Sequence, residues 1–520
     1  MPDDLSKLQR TPRETARWQR AQQDLLGGQS VRALAGYSDL VQRYPGVAQL
    51  WFELGIAATG QLGFDMADQA FQRSIELSRH DAPMLVLIGQ QYHRLRRLRK
   101  ARECFEQAVA VAPKSVHARL SLAVWYEREH KLEEAIECVE ACLAEHPHDA
   151  QARCVSALLL HRKGRNAEAE AVLRAVANGN NNDPNVRYSS RQLLGVVLDA
   201  LGQHAEALRW LREAKDVQRR TVNAAKMEQD YDRSDRWRRK LLAALTPETI
   251  RQWRKEAGAE APARLALLGG HPRSGTTLLE RILGAHPEIM AFDESEAFAQ
   301  EVWDPLAPLK AVQGLALESL SRMPLARRGE MRRRYFKSLL RETDTGDGGK
   351  LLLDKNPSLT AALHLWTRIL PEAKIIIALR DPRDVIISCY FQNLILTPAN
   401  ANFLTLERAA KHYADLMDVW LRMRELGGLD WIETRYESVV ENLESEGRRV
   451  TEFLGLSWHA DQAKHHELSR QKFLFAPTYN DVTKPVHRRS VGRWERYSEA
   501  LAPIQPLLEP YCRAFGYATG

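Results

Sequence analysis

Four stretches in the second half of the chain hold residue types suited to anion chemistry. In Leu265-Ala-Leu-Leu-Gly-Gly-His-Pro-Arg-Ser-Gly-Thr-Thr-Leu-Leu-Glu-Arg-Ile-Leu-Gly-Ala-His286 an apolar run passes through a tight basic turn into Leu278, Leu279, Ile282 and Leu283 at helical spacing. Strand, turn and helix in that order aim backbone N–H groups and the positive helix end at one point, and Gly275 lets a ligand approach the backbone, so an anion belongs there. In Lys374-Ile-Ile-Ile-Ala-Leu-Arg-Asp-Pro-Arg-Asp-Val-Ile-Ile-Ser388, Arg380 ends a strand and Ser388 stands one turn into the next helix. A guanidinium forks onto two phosphate oxygens and a hydroxyl adds a third bond; the other reading of Arg380 is a structural partner of Asp381 or Asp384. Lys355 directly follows a buried run in Leu353-Asp-Lys-Asn-Pro357, a place where a lone lysine is usually surface. Phe292-Asp-Glu-Ser-Glu296 offers carboxylates that can take a proton from an attacking hydroxyl or phenol in a desolvated setting.

These residues need elements to position them. At 520 residues the chain is too long for one ordinary core and should hold two or three domains. Its hydrophobic fraction of 44% and charged fraction of 27% are those of a soluble globular protein. No stretch approaches the roughly 20 apolar residues that span a bilayer, and Met1–Arg10 lacks the apolar core of a signal peptide, so the expectation is a cytoplasmic protein without a membrane contact. Six cysteines without a CxxC pair argue against a disulfide framework or a zinc site. A net charge of +7 suits small acidic ligands better than duplex nucleic acid.

From about Glu14 to Lys215 the sequence repeats itself. Alanines stand at 33, 67, 101, 135 and 169, each 34 residues after the last. Ala21, Gly55, Gly89, Ala123 and Ala157 keep the same step, as do Tyr37, Phe71, Phe105, Val139 and Leu173. A sixth unit with Gly195, Ala207 and Leu211 is shifted by four residues behind the polar loop Asn178–Pro184. The spacing resembles the tetratricopeptide repeat, a pair of helices per unit. Small residues let the two helices approach, and the large residue fills the gap to the next unit. Such a solenoid either binds a peptide or a second protein on its concave face or merely positions the enzyme.

Residues 216–263 read as a helical cap and linker, with Thr246 capping a helix that has Pro247 at its first position and a small-residue linker at Ala257–Ala263. Beyond it, candidate strands at Leu265–Leu268, Ile289–Phe292, Leu351–Leu353, Lys374–Leu379 and Trp431–Thr434 alternate with helices beginning near Thr276, Ser358, Asp384, Thr405 and Ser438. The fold class is therefore α plus α/β: a helical solenoid over 14–215, then a P-loop-like parallel-sheet domain over 264–520 whose ligand lies beyond the strands' carboxyl ends.

Gly270-His-Pro-Arg-Ser-Gly-Thr-Thr277 lacks the Lys that a Mg-nucleotide loop needs before its final Ser/Thr. It resembles instead the 5′-phosphosulfate loop of sulfotransferases that use 3′-phosphoadenosine 5′-phosphosulfate, in the Pro-Arg-Ser-Gly-Thr-Thr form of tyrosylprotein sulfotransferases. The resemblance covers residues 265 to about 500. It implies that Arg273, Ser274, Gly275, Thr276 and Thr277 hold the phosphosulfate, and that Arg380 and Ser388, eight residues apart, grip the 3′-phosphate. It gives Lys355 the neutralisation of the sulfuryl group, Glu294, twenty-one residues after Arg273, the catalytic base, and Thr478 the stabilising hydroxyl. Asp293 and Glu296 compete with Glu294 for that role. Lys484 and Arg493 fall on donor-contacting positions, and Tyr436 falls on that of an adenine-contacting Tyr, its other reading being an aromatic that fills the strand-to-helix turn.

The chain departs from that pattern in two places. Ser295, Glu296 and Ala297 stand where the tyrosylprotein enzymes carry arginines that receive acidic peptides, and Gln392 stands where a further donor-binding Arg belongs. The resemblance implies sulfuryl transfer to an acceptor hydroxyl, with a protein tyrosine among the candidates and no metal. A variant P-loop kinase and an inactive repeat adaptor are the rival readings. On a helix, Arg328, Arg332 and Lys337 would share a face and steer an anionic acceptor, the plain alternative being a solvated surface.

Overall fold

The computed structural model describes residues 12–26, 29–59, 64–95, 97–257, 264–306, 317–341, 343, 346, 348–394, 396–469 and 486–519. The chain divides into two compact units, 1–181 and 182–520.

Among its described residues the first unit has five successive helix pairs: α1 (Pro12–Leu26) and α2 (Ser30–Arg43), α3 (Ala48–Thr59) and α4 (Phe64–Leu77), α5 (Ala82–Arg94) and α6 (Leu98–Val111), α7 (Val116–Arg128) and α8 (Leu132–Glu145), α9 (Ala150–Arg162) and α10 (Asn166–Ala177). Ser115 and Asp149 cap α7 and α9 by accepting the N–H groups of Ala118 and Ala152. The in-phase alanines are all buried. The small and large residues of a unit form one lock: a Cβ built on Gly55 would lie 2.4 Å from the Phe71 ring, and one on Gly89 would lie 2.8 Å from Phe105. Each ring also reaches the following pair, with Phe71 5.4 Å from Tyr92 and Phe105 5.7 Å from Trp125 between centroids.

The second unit opens with a sixth pair, α11 (Pro184–Ala200) and α12 (His204–Thr221), which keeps the same lock: a Cβ on Gly195 would meet Leu211 at 2.6 Å. The 34-residue period counts this pair with the solenoid, whereas its contacts group it with the residues that follow. α13 (Ala224–Ala244) and α14 (Pro247–Ala257) come next; Thr246 accepts the Thr249 N–H at 3.3 Å, and Pro247 opens α14. Residues 258–263 of the expected linker lie outside the described residues.

Five parallel strands then form one sheet: β1 (Leu265–Gly270), β2 (Ile289–Asp293), β3 (Leu351–Lys355), β4 (Lys374–Leu379) and β5 (Trp431–Arg435), in the order β2-β3-β1-β4-β5. β1, buried along its whole length, is central, as its unbroken apolar run requires. The strands run past the last apolar residue to Gly270, Asp293, Lys355 and Arg435, because ladder bonds join backbones whatever the side chain; Asp293 and Lys355 are themselves register partners. The helices that matter to the site are α15 (Thr276–Gly284), α16 (Leu325–Leu340), α17 (Pro382–Tyr390) and α18 (Leu406–Leu426). Asp381 caps α17 by accepting the Arg383 N–H, so that helix begins two residues before Asp384 and Ser388 sits nearer its end than its start.

The expected steering face of α16 is turned inward. Arg328 and Arg332 are 1% and 8% exposed, Arg332 pairs with Glu372 and lies 5.3 Å from the Phe336 ring, and only Lys337 of the three is exposed. The helical spacing does put the two arginines on one face; their long apolar stems and a carboxylate partner let that face be buried.

Behind the turn after β1 lies a buried histidine pair. His271 Nδ1 donates to the Pro272 carbonyl at 2.7 Å, which leaves Nε2 to accept from His412 Nδ1 of α18 at 2.9 Å. Burial pushes His271 down to about 4, and holds His412 well below its ordinary range with His271 and nearby cations adding to the effect.

Two outcomes follow from this packing. Gly89→Ala should lower the unfolding midpoint, by roughly 1–3 kcal/mol in stability, and Phe105→Val in the same chain should recover much of it, as in the natural pair Ala123 and Val139; an unchanged midpoint would show that the ring moves aside freely. Because the unfolded chain takes up a proton near pH 6.5 that native His271 refuses until about pH 4, stability falls as pH falls through that window. His364 and His465 act in the same direction, so the test is the difference in slope between wild type and His271→Gln, on the order of 3 kcal/mol across the window, read from urea midpoints.

Candidate active site

All five strands deliver a candidate residue at the carboxyl edge of the sheet. β1 leads into the turn 271–275, β2 into Glu294, β3 ends on Lys355, β4 leads into Arg380 and β5 into Tyr436. A cavity of about 310 Å³ opens at this edge, and Arg273, Gly275, Thr276, Thr277, Glu294, Arg380, Ser388, Tyr436 and Arg493 all line it. Gln392 lines it too, in the place expected of an arginine. A second hollow of about 490 Å³ lies beyond Arg435, but its charges are spent on one another and on backbone: Arg449 pairs with Glu446, and Arg435 donates to the Phe515 carbonyl. The smaller cavity is therefore the site.

The turn is built on left-handed backbone. Arg273 has φ +75° and Gly275 φ +89°, and the Ser274 N–H closes the turn on the His271 carbonyl at 3.1 Å. A Cβ at Gly275 would stand 2.6 Å from the Tyr436 ring, so only glycine fits against it. Of the five described non-glycine residues with positive φ, Arg273 and Glu294 belong to this site and the other three to the first unit. Such strain persists where the surroundings fix it.

The distant half-motif joins the turn directly. Arg273 Nε donates to Ser388 Oγ at 3.1 Å across 115 residues of sequence, and Arg380 Nη1 donates to the Arg273 carbonyl at 3.2 Å. Arg380 also stands 4.8 Å from the Tyr436 ring centroid, donates to the Ser490 carbonyl, and lies 3.7 Å from Asp384. It is thus a partner of Asp384 and a wall of the cavity at once. Its Nε is buried without a hydrogen-bond partner among the described residues.

Glu294 has φ +54°, which carries its side chain out of the β2 line while its N–H still bonds the Lys355 carbonyl at 2.7 Å. Its carboxylate, half exposed, takes Lys355 Nζ at 3.0 Å. Of the three competing carboxylates only Glu294 lines the cavity: Asp293 is held by Lys355 and by Arg281 at 3.6 Å, and Glu296 accepts from Gln300. Lys355 is wholly buried behind Glu294 and does not line the cavity; neither does Ser274, which is buried in the turn. Burial alone would lower the Lys355 ammonium, but Asp293, Glu294 and Glu280 outweigh it and hold its pKa above the ordinary value. Thr478 and Lys484 lie outside the described residues.

The far wall is a turn at 490–494 that sequence reading did not anchor. Asp384 accepts the N–H groups of Gly492 at 2.9 Å and Trp494 at 2.8 Å; burial pushes its carboxyl up to about 6 against the opposing pull of Arg380 and these amides. Arg493 ion-pairs with Asp199 at 2.7 Å and lies 4.1 Å from the Phe391 ring. The histidine pair and Asp199 carried no local signal, since each acts through an element distant in sequence, and of Asp384 only its contact with Arg380 was local.

Residues 266–460 match the sulfotransferase family model, and residues 87–137 and 126–193 match tetratricopeptide repeat models. A protein-tyrosine sulfotransferase A of Caenorhabditis elegans is 25% identical over 273 residues, 51% of this chain and 70% of that protein. An uncharacterized protein of Aquifex aeolicus is 26% identical over 353 residues, 65% of this chain but only 43% of that protein. Among solved structures, the sulfotransferase domain of the Synechococcus PCC 7002 olefin synthase aligns at 19% identity and a TM-score of 0.37, over 51% of this chain and 98% of that one. By the family-model matches, tetratricopeptide repeats precede a sulfotransferase-family domain over residues 266–460.

Proposed function

We propose that the second unit transfers a sulfuryl group from 3′-phosphoadenosine 5′-phosphosulfate to an acceptor hydroxyl, a protein tyrosine being one candidate. The observation that carries this reading is convergence: the turn 271–275, the pair Arg380 and Ser388, and Glu294 face one cavity although they come from four separate strand ends and helices. Two residue-level features fit a donor with two anionic groups. Arg380 keeps a buried N–H without a hydrogen-bond partner among the described residues, and Gly275, pressed against the Tyr436 ring, adds no side chain of its own to the turn.

In this reading Arg273, Gly275, Thr276 and Thr277 hold the phosphosulfate end, Arg380 and Ser388 the 3′-phosphate, and Tyr436, under the Arg380 guanidinium, lies beside the adenine. The donor supplies the activated sulfur; Glu294 takes the acceptor's proton, and Arg273 with the loop amides stabilises the negative charge that builds up. Lys355 acts through Glu294, fixing its carboxylate by an ion pair rather than reaching the cavity itself. By the resemblance, Thr478 would supply a hydroxyl that stabilises the transition state and Lys484 a donor contact, both outside the described residues. A kinase would need a Mg²⁺-holding carboxylate at the end of β4, where Arg380 stands.

For an acidic peptide the residues after Glu294 bring no cation: Ser295 and Ala297 are buried and Glu296 is paired with Gln300. We further propose a peptide or protein partner for the repeats and a cytoplasmic location, which six separate thiols support.

Two measurements test the reading. Adenosine 3′,5′-bisphosphate should bind more tightly than 5′-AMP by about 1.5–3 kcal/mol, the worth of a charge-assisted contact, in calorimetric titration; equal affinities would remove the 3′-phosphate from the account. Glu294→Gln should cut turnover of labelled donor about 10²–10⁴-fold with little change in donor affinity, whereas a larger loss in Asp293→Asn or Glu296→Gln would move the base elsewhere.

A further inference from the structure

We infer that the helix pair α11–α12 braces the wall of the donor pocket from behind and that Asp199 on α11 is a positioning residue for Arg493. The inference rests on the donor reading above.

Two segments that line the cavity are gripped by this pair. On the first, Gln192 Nε2 donates to the Phe391 carbonyl at 2.7 Å, Lys215 Nζ donates to the Gln392 carbonyl at 2.9 Å, and Tyr188 donates to Asn393 Oδ1 at 3.0 Å. Gln392 and Leu394 of that segment face the cavity. On the second, the Asp199 carboxylate takes Arg493 Nη2 at 2.7 Å and the Tyr497 hydroxyl, whose oxygen lies 3.4 Å from His204 Nδ1 of α12.

The chemistry of the gripping side chains is unlike that of a solvated repeat face. Lys215 is only 3% exposed, and burial lowers its ammonium to about 8, with no carboxylate acting on it among the described residues. Gln192 is buried, and its own Oε1 has no hydrogen-bond partner among the described residues. Burying such groups is unfavourable, and what they gain is a fixed position for the backbone at 391 and 392.

Arg493 is constrained on two sides, by the carboxylate at one end and by the Phe391 ring under its plane. A planar fork held in this way has one orientation, so its remaining N–H groups meet an anion without first losing side-chain freedom. The anion is a phosphate of the donor, because Arg493 lines the same cavity as Arg380 and Ser388. Removing Asp199 leaves Arg493 in place but lets it swing, and donor affinity falls through Arg493 alone.

The test is a double-mutant cycle on the full chain, titrating adenosine 3′,5′-bisphosphate calorimetrically into wild type, Asp199→Asn, Arg493→Gln and the double variant, with melting midpoints in parallel. Each single change should weaken binding about tenfold, and the double should be no weaker than Arg493→Gln, since the two residues act in series. Asp199→Glu should keep most of the affinity; with Arg493→Lys it completes a second cycle if Asn is not tolerated. A purely structural Asp199 lowers the melting midpoint and leaves the affinity of the folded protein intact. That result, or additive losses in the double variant, overturns the inference while binding by wild type keeps the donor reading. Failure of wild type to bind the bisphosphate overturns both.

Discussion

The site depends on a three-way contact at the sheet edge. Tyr436 from the end of β5 stands against Gly275 so closely that no Cβ could intervene, its ring lies 4.8 Å from the Arg380 guanidinium at the end of β4, and Arg380 in turn donates to the Arg273 carbonyl of the turn after β1. Each element fixes the other two. The left-handed backbone at Arg273 and Gly275 is tolerable because this packing in front and the histidine pair behind leave the turn no other course. A backbone fixed in advance suits an anion, because its amides need no reorganisation when the charge arrives.

Charge burial is the second theme. Lys355, Asp293, Glu280 and Arg281 are taken out of water beneath the strand ends, and they are tolerated because each touches an opposite charge. Glu294, the other partner of Lys355, reaches the cavity with its carboxylate half exposed. The sequence rule that a lysine after a strand is usually surface fails for Lys355 because two carboxylates meet it at the end of the adjacent strand. Asp384 shows the same economy, joining α17 to the turn at 490–494 through two amides while facing Arg380.

The sixth helix pair shows how one pattern can serve two ends. Gly195 under Leu211 repeats the lock of Gly55 under Phe71, so the period reads it as one more repeat. Its polar residues Gln192, Asp199 and Lys215 hold the segments at 391–394 and 493–497. A helix face that in a solenoid would meet another repeat here meets the wall of the cavity at the sheet edge.

The sequence alone determined the repeat period, the five strands to within a residue or two of their ends, and the short-range chemistry of Gly270–Thr277 and Arg380–Ser388. All of these are set by side-chain spacing along a helix or strand, or by what one turn can expose, and such information is local. Tertiary structure decided the rest. It chose Glu294 over Asp293 and Glu296 as the carboxylate that reaches the cavity, put Lys355 behind Glu294 instead of in the cavity, and turned Arg328 and Arg332 of α16 inward where periodicity showed a shared face but not its direction. It also brought His412, Asp199 and Lys215 to residues far from them in the chain. Those outcomes follow from which strands lie side by side and which helices cover them, and the spacing of residues along one element carries no record of its neighbours across the sheet.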